Sequence, residues 1–270
     1  MKRELSDLFS FKTLKCLKYI PVIVWRIKNW VPFLSDYIRF TDRGPHLYLL
    51  RNGIQVKTME NIDSSTMAHI FFKKTYGDVE DNSTVIDIGA NIGIYSIFAA
   101  ATSKNTIVYA YEPELNNFNL LLENIKINNL EKNVFPFKLA VSARGGEKEL
   151  YLNDSPDSHS LYFKYPDREN KSVEIKCVSM KDIFEENNIK QCDILKLDCE
   201  GAEFEILYST PDEYFKKIKI IRLEYHNQNG QNNIQSLIHF LKRKGFKIIK
   251  FKKNKKKTPE YNGILWLEKI

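Results

Sequence analysis

The sequence has few cysteines and no long apolar run, and both absences limit what the protein can be. Its four cysteines are scattered and form no C-x-x-C pair: Cys16, Cys177, Cys192 and Cys199. This usage predicts a reducing compartment and argues against a zinc site. No run of about 18 apolar residues occurs, so no transmembrane helix is predicted. Residues 20–25 are too short for a secretory signal and lack a small-residue cleavage site. We therefore expect a cytoplasmic protein.

Acidic residues are outnumbered by basic ones, which leaves a formal net charge of +7. This balance permits anionic partners without requiring them. The chain of 270 residues is 43% hydrophobic and 13% aromatic, enough to fill the core of one α/β domain. We assign that domain to residues 46–270. Residues 1–45 are basic and aromatic, and we predict that they form a helical N-terminal extension.

Two segments have two interpretations each. The extension is most apolar at residues 20–27, where we expect a helix that packs on the main domain. The alternative is peripheral membrane contact, because tryptophans and lysines favour the headgroup region. The basic stretch Lys250–Lys257 is expected to be a solvated hairpin tip. Its alternative is contact with an anionic lipid, polysaccharide or nucleic acid.

Residues 84–101 organise the rest of the chain. A strand ending at Asp87 precedes a turn with two glycines, Gly89 and Gly93, and an apolar helix follows. Strand, tight turn and helix open a nucleotide-type α/β domain. The spacing Asp-x-Gly-x-Asn-x-Gly differs from G-x-G-x-x-G, and an acid at the strand end would repel a pyrophosphate. S-adenosylmethionine has no phosphate, and its cationic α-amino group suits Asp87. We call residues 89–93 the glycine turn.

The next strand, at residues 106–111, ends at Glu112 and Pro113. Glu112 comes 25 residues after Asp87, near the spacing expected for an acid that binds the ribose hydroxyls of adenosine. The alternative is an acid that only stabilises a helix N-terminus through the helix dipole. Because Glu112 occurs together with Asp87 and the glycines, we favour the cofactor role. Pro113 is expected in the first turn of the helix at 114–127.

The remaining chain continues the alternation of strands and helices and interrupts it once. Residues 133–139 predict a third strand at the sheet edge, because Pro136 cannot donate a ladder hydrogen bond. The segment 145–178 breaks the βα rhythm and predicts a small β insertion near the cofactor cleft. Strands at 193–198 and 218–225 resume the main sheet, and a terminal hairpin closes it.

Four segments resemble the FkbM-type S-adenosylmethionine-dependent methyltransferases: VIDIGANIGIYSI, YAYEP, DILKLDCEGAEFEIL and LEYH. The resemblance covers about residues 45–268. It implies an α/β fold of the class I methyltransferase type, with a doubly wound, Rossmann-like sheet of seven strands whose last strand is antiparallel. It also implies methyl transfer to oxygen, often to sugar hydroxyls of glycans, glycolipids or natural products. Cys199 departs from the family, in which an aliphatic residue is usual.

The resemblance implies S-adenosyl-L-methionine as the cofactor and places its motifs on residues of this chain. We predict the following cofactor-binding residues: Asp87, Gly89, Ala90, Asn91, Gly93, Glu112, Ala140 and Asp198. The acidic motif after the fourth strand corresponds to Asp198, Glu200 and Glu203. Glu203 lies inside a helix, and we expect it to be structural.

Ionisable side chains follow the fourth and fifth strands, where carboxyl ends of the strands face the ligand cleft. We predict four catalytic residues there: Asp198, Glu200, Glu224 and His226. A hydroxyl acceptor must lose its proton, which requires a base or a metal that lowers the hydroxyl pKa. We favour the base. The alternative is a divalent cation bound by Asp198, Glu224 and His226.

Two rival functions stay open at this point. The net charge and the lysine cluster suit a nucleic-acid methyltransferase, but amino methylases usually carry Asn/Asp-Pro-Pro-Tyr/Phe after the fourth strand. This chain has Asp198-Cys199-Glu200-Gly201 there, without proline and with acids that would repel a polynucleotide. A non-catalytic cofactor-binding protein is the other rival, and the intact cofactor motifs argue against it. We therefore favour an O-methyltransferase that acts on a sugar, glycan, glycolipid or related small molecule.

Overall fold

The computed structural model describes residues 19–38, 46–59, 62–152, 160–161, 171–226, 233–253 and 262–270. Its N-terminal part has these elements: α1 (Ile20–Arg26), α2 (Trp30–Tyr37), β1 (Leu47–Leu49), β2 (Gln55–Lys57) and α3 (Ile62–Met67), which continues as a π-helix over Ala68–Phe72. β1 and β2 pair antiparallel, as the turn at Asn52-Gly53 predicts. Residues 1–18 and 39–45 of the predicted extension lie outside the described residues, and its boundary at residue 45 stays a prediction.

Strands and helices then alternate along the chain, as follows: β3 (Thr84–Ile88), α4 (Ile94–Thr102), β4 (Ile107–Tyr111), α5 (Leu115–Ile127), β5 (Val134–Phe137), β6 (Ala140–Val141), β7 (Gly146–Leu152), β8 (Lys171–Val178), α6 (Met180–Glu186), β9 (Cys192–Leu197), α7 (Glu203–Ser209), α8 (Asp212–Phe215), β10 (Ile218–His226), α9 (Ile234–Arg243), β11 (Phe246–Lys253) and β12 (Asn262–Lys269). Among the described residues, no helix is long and apolar enough to cross a membrane.

Seven strands form one sheet in the order β11-β12-β10-β9-β3-β4-β5. The strands from β10 to β5 in this order run parallel, whereas β12 is antiparallel to both of its neighbours. The predicted fold class, a seven-stranded sheet with an antiparallel last strand, is thereby confirmed. The strand order reverses between β3 and β9, which is where ligands bind in open sheets of this kind. The glycine turn lies at this point.

Helices cover both faces of the sheet. Val85 and Ile86 are neighbours in β3 and point to opposite faces, so they enter different cores. The first core joins α4 and α5 to the N-terminal elements and includes Ile23 and Phe33. The second core lies under α6 to α9 and includes Phe204. The described part of the N-terminal segment therefore packs on the main sheet.

A separate three-stranded sheet lies at the predicted insertion, with the order β6-β8-β7. β7 and β8 pair antiparallel, while β6 runs parallel to β8. The sequence of residues 160–163 also predicts a short strand within this insertion, and of these residues 160–161 belong to the described residues. Ser160 forms an isolated bridge with Tyr151 there.

Two predicted helix bounds are wrong. Pro113 lies before α5 rather than in its first turn, because Glu114 is the N-cap residue and accepts a hydrogen bond from the Asn117 N–H at 2.7 Å. Asp63 and Ser64 are possible N-cap residues and predict a helix over residues 64–76, whereas the observed helix begins at Ile62 and ends at Phe72. Its last turn widens into a π-helix, and Lys74 then adopts a left-handed conformation (φ +48°) that cannot continue it.

Candidate active site

The glycine turn is shaped so that a side chain does not fit at its first position. Gly89 has φ +73°, a left-handed conformation that side chains disfavour. A Cβ atom at Gly89 would overlap the carbonyl oxygen of Asp198. Gly93 has φ +87° and precedes α4, where a Cβ atom would overlap the Leu121 side chain. The turn therefore packs directly on the chain that follows β9, with Ala90 buried inside it.

Asp87 lies beneath the glycine turn and has no exposed surface. Its Oδ1 atom is 2.9 Å from the Nζ of Lys196 on β9. The Ser96 hydroxyl donates a hydrogen bond to its Oδ2 atom at 2.6 Å. Burial lowers the pKa of Lys196, but Asp87 and Asp198 more than offset this, so the pKa is raised and the ammonium stays charged. Direct contact between Asp87 and a cofactor amino group stays a prediction.

Glu112 lies beside the glycine turn and is hydrogen-bonded to it. Its Oε2 atom accepts from the Asn91 N–H at 2.8 Å, and its Oε1 atom accepts from the Glu114 N–H at 3.0 Å. Burial raises the pKa of Glu112 to about 7, although these two bonds act in the opposite direction. A carboxylate has further lone pairs that two ribose hydroxyls can use. This geometry fits the predicted cofactor role of Glu112.

Cofactor affinity is expected to rise about 10-fold between pH 6 and pH 8. Ribose hydroxyls bind best to ionised Glu112, so cofactor binding releases the proton that the buried carboxyl holds below about pH 7. Burial raises the pKa of Glu112 from its ordinary value of 4.5 to about 7 in the folded protein. The cofactor-free fold therefore loses stability as the pH rises from 4.5 to about 7. Calorimetric titration with S-adenosylhomocysteine at several pH values measures how the affinity changes with pH. The Glu112→Gln variant should bind more weakly at pH 8, and its affinity should lose the part of the pH dependence that comes from Glu112. Equal slopes in both proteins would contradict the assignment.

The chain after β9 forms a second turn, Asp198–Ala202, which we call the acidic turn. Glu200 and Gly201 both adopt left-handed conformations there, with φ +49° and +105°. Glu203 is fully buried and accepts backbone hydrogen bonds from Cys199 at 3.1 Å and from Gly201 at 3.0 Å. Glu203 is thus a structural acid that holds the turn, as the sequence predicts.

Three predicted catalytic residues meet at the acidic turn. One ligand atom from each of Asp198, Glu200 and His226 lies within 4.8 Å of the others. The Tyr76 hydroxyl donates to Asp198 Oδ2 at 2.7 Å. His226 Nδ1 is 3.0 Å from Glu203 Oε1, and its Nε2 is 3.5 Å from Glu200 Oε1. Burial lowers the pKa of His226, but these two glutamates more than offset it and hold the pKa well above its usual range. These neighbours favour the protonated form of the imidazole.

Two carboxyl groups of the site titrate near neutral pH. Burial raises the pKa of Glu200 to about 8, with His226 acting in the opposite direction. Burial, reinforced by Asp198, raises the pKa of Glu224 to about 7. β9 and β10 are parallel, and Leu197 pairs with Leu223. The residues that follow this pair, Asp198 and Glu224, therefore lie side by side. Carboxyls with such pKa values suit proton transfer near neutral pH.

Ala140, which is also predicted to bind the cofactor, belongs to neither of the two turns. It lies in β6 opposite Cys177, and its side chain packs with Leu150 and Ile175 in the small sheet. Its place in the cofactor site stays a prediction.

Sequence reasoning missed three residues that contact the site: Tyr76, Ser160 and Lys196. Tyr76 donates a hydrogen bond to Asp198, and Ser160 donates one to the Glu200 carbonyl oxygen at 2.6 Å. Both contacts join segments far apart in the chain, so local patterns do not reveal them. For Lys196 the sequence does give an indication, because a lysine inside a buried strand requires a buried polar or charged partner.

Comparison with known proteins decides the family. Residues 87–248, more than half of the chain, match the model of the methyltransferase FkbM domain. The chain belongs to the FkbM methyltransferase family. The match begins at Asp87 and includes the glycine turn, Glu112, the acidic turn and His226. As a member of the FkbM family, the protein is an S-adenosylmethionine-dependent methyltransferase, and the predicted cofactor is confirmed.

Individual relatives are distant. The chain is 23% identical over 239 residues to the 31-O-demethyl-FK506 methyltransferase FkbM of Streptomyces tacrolimicus, covering 72% of this chain and 90% of that protein. It is 24% identical over 161 residues to the hexuronic acid methyltransferase AglP of Haloferax volcanii, covering 60% and 63%. The solved structure of methyltransferase FkbM from Methylobacillus flagellatus KT aligns with a TM-score of 0.51 at 13% identity, over 95% of this chain and 60% of that one. This last likeness concerns the fold alone.

Proposed function

We propose that the protein transfers the methyl group of S-adenosylmethionine to a hydroxyl oxygen of a sugar, glycan, glycolipid or related small molecule. The observation that carries this proposal is the packing of the two turns on each other, with Gly89 against the Asp198 carbonyl. Asp198, Glu200 and Glu224 then follow at the same edge of the sheet. A hydroxyl bound among these carboxyls would lie beside the cofactor and within reach of a proton acceptor.

The names of two relatives support an oxygen acceptor of this class. AglP is named a hexuronic acid methyltransferase, and the Streptomyces relative is named a 31-O-demethyl-FK506 methyltransferase. The first name specifies a sugar acid as the acceptor, and the second specifies an oxygen atom.

In the proposed reaction the acceptor oxygen attacks the methyl carbon in line with the sulfur. The O–CH3 bond forms as the S–CH3 bond breaks, and the electron pair of that bond stays on sulfur, which gives S-adenosylhomocysteine. The hydroxyl proton passes to a carboxylate. The raised pKa of His226 favours its protonated form, so we assign the base to Glu224 or Glu200. His226 instead contributes a positive charge beside Glu200, which revises its predicted role as a base.

A divalent cation is the alternative means of activating the hydroxyl. Among the described residues, the group whose ligand atoms lie close enough together is Asp198, Glu200 and His226, with Glu200 in place of the predicted Glu224. Two carboxylates and an imidazole suit Mg²⁺ or Mn²⁺. Nε2 of His226 would bind the ion while Nδ1–H stays with Glu203. We favour the base, as predicted from the sequence.

We propose that the insertion at 145–178 forms the acceptor side of the cleft. Two contacts join it to the acidic turn and to α7, which follows that turn. Ser160 bonds the Glu200 carbonyl at 2.6 Å, and Lys148 Nζ is 2.8 Å from Glu205 Oε1 in α7. Segments over this edge of an α/β sheet commonly set substrate specificity while the scaffold holds the cofactor.

An acceptor panel tests the proposed function. The protein is incubated with S-adenosylmethionine labelled in its methyl group and with hexuronic acids, neutral sugars, glycolipids and oligonucleotides. Mass spectrometry then finds the labelled product. We expect label on a carbohydrate-type acceptor. Transfer to the oligonucleotides would support the nucleic-acid alternative, and cofactor binding without transfer to any acceptor would support the non-catalytic one.

We also propose that one corner of the protein, formed by α1, residues 27–31 and β1, binds a membrane surface that carries anionic lipids. Apolar side chains are exposed at this corner: Trp25 (69%), Val31 (59%) and Leu47 (45%). The segments are joined, since the Asn29 side chain donates to the Leu47 carbonyl at 2.7 Å. Lys28 and Arg51 are exposed beside them, and residues 19–35 and 46–58 contain no aspartate or glutamate. Exposed tryptophan with basic neighbours suits an anionic interface.

The other candidate contact, Lys250–Lys257, lies partly outside the described residues.

Vesicle sedimentation measures this contact. The protein should sediment with phosphatidylcholine vesicles that contain phosphatidylglycerol, and much less with phosphatidylcholine alone. The double variant Trp25→Ala/Val31→Ser should partition roughly 10-fold less, because it loses the apolar surface that enters the interface. Leu122→Ser removes an exposed leucine from α5 and should change nothing. Equal partition of the double variant, or absence of binding to both vesicles, would overturn the proposal.

A further inference from the structure

A buried lysine connects β9 to the strand and turn that carry predicted cofactor-binding residues. Lys196 is 3% exposed. Its Nζ atom is 2.9 Å from Asp87 Oδ1, 2.8 Å from the Gly89 carbonyl oxygen and 3.4 Å from that of Ile88. All three contacts lie at the junction between β3 and the glycine turn. The ammonium thus binds both the acid at the strand end and the backbone that turns away from it.

The rings of Tyr76 and Tyr95 cover this ammonium. Their centroids lie 5.6 and 6.0 Å from Lys196 Nζ, so the charge faces aromatic surface as well as oxygen atoms. Tyr76 then continues the connection, because its hydroxyl donates to Asp198 Oδ2 at 2.7 Å. The same small cluster therefore touches the glycine turn and the first residue of the acidic turn.

Asp87 is in a poor position to contact the cofactor. It has no exposed surface, and its two oxygens are held by Lys196 and by the Ser96 hydroxyl. To reach the cofactor's ammonium, the carboxylate would have to leave Lys196, and an unpaired buried charge is costly. Asp198 is partly exposed, and the packing of Gly89 on its carbonyl brings it next to the glycine turn.

We propose that Lys196 is a positioning residue that fixes the glycine turn, and that Asp87 acts on the cofactor only through Lys196 and this turn. The carboxylate that binds the cofactor's α-ammonium is then Asp198, oriented by Tyr76. Asp87, Lys196 and Ser96 form an internal group, whereas Asp198 forms the contact surface.

Two ligands distinguish an acid that holds the glycine turn in place from an acid that binds the ammonium group of the cofactor. S-adenosylhomocysteine carries the amino acid moiety, whereas 5′-methylthioadenosine has the same nucleoside and sulfur without it. Calorimetry, with competition where binding is weak, gives the dissociation constant of each. Loss of a turn-holding residue should weaken both ligands by the same factor. Loss of a residue that binds the ammonium should weaken S-adenosylhomocysteine alone.

Asp87→Asn and Lys196→Met should each weaken both ligands roughly 10- to 100-fold, as for loss of a buried charged contact. The double variant should bind no more weakly than the weaker single variant, because the two side chains act as one unit. Asp198→Asn should weaken S-adenosylhomocysteine and leave 5′-methylthioadenosine unchanged. Lys104→Met, at an exposed lysine outside the site, is the matched control.

Two results would overturn the proposal. One is an Asp87→Asn variant that loses affinity only for S-adenosylhomocysteine. The other is a double variant whose loss equals the product of the two single losses. If Lys196→Met does not fold, the isosteric Asp87→Asn still decides between the two roles through the ratio of its two dissociation constants.

Discussion

Gly89→Ala is expected to abolish cofactor binding, whereas Gly53→Ala is expected to leave it intact. Both glycines have positive φ angles, +73° and +95°, so each alanine bears a conformational cost of roughly 1–2 kcal/mol. Only at Gly89 does the new Cβ meet protein, the carbonyl oxygen of Asp198. Nothing lies within 4 Å of a Cβ at Gly53. That oxygen belongs to the backbone, so relief of the overlap requires the two turns to separate.

Thermal unfolding and calorimetric titration with S-adenosylhomocysteine measure the difference between these variants. We expect Gly53→Ala to lose a little stability and to bind normally. Gly89→Ala should lose at least 100-fold in affinity, about 2.7 kcal/mol, or fail to fold. Similar affinity in the two variants would mean that the turns do not need their close contact.

Replacing the proposed base should give the second large effect. We expect Glu224→Gln or Glu200→Gln to lower turnover roughly 10²- to 10⁴-fold while the affinity for S-adenosylhomocysteine stays nearly unchanged. Glutamine keeps the size of the side chain but cannot accept the hydroxyl proton. Turnover of the unaltered protein should rise with pH and reach half its maximum near pH 7 to 8, where these carboxyls ionise. Glu131→Gln, at an exposed position, is the control.

A chelator separates the base from the cation. If a carboxylate is the base, EDTA should leave turnover unchanged. If a cation activates the hydroxyl, EDTA should abolish turnover, and added Mg²⁺ or Mn²⁺ should restore it. Full activity of both glutamine variants and of Asp198→Asn in the presence of EDTA would contradict both versions. Catalysis would then rest on alignment of the reactants alone.

The parts of the fold that could be predicted are those with strong local patterns. The strand ending at Asp87, the glycine turn and the apolar helix are adjacent in sequence. The local pattern of each one agrees with the strand–turn–helix unit that they form together. Pro136 correctly indicated an edge strand, because β5 is the last strand on its side of the sheet. Pro113 misled, because proline also fits the position before an N-cap and Glu114 supplied the cap.

The candidate site was harder to predict, because its chemistry depends on contacts between distant segments. The sequence places Asp87 at a strand end but does not show that Lys196 occupies it. His226 has the residue type of a general base, yet the buried Glu203 beside it raises the pKa of the imidazole well above its usual range. The pKa of a side chain is set by burial and neighbours in the folded protein. Residue type and spacing therefore predict which ionisable groups come together in the fold, but not the charge that each group carries there.

The atom that receives the methyl group tests the central claim most directly. A product made with carbon-13-methyl S-adenosylmethionine, examined by proton–carbon correlation NMR, distinguishes a methyl ether from a methyl ester and an N-methyl group. We predict a methyl ether, because a hydroxyl has a proton to give to Glu224 or Glu200. A carboxylate acceptor has no such proton. A methyl ester or an N-methyl product would contradict the proposed function.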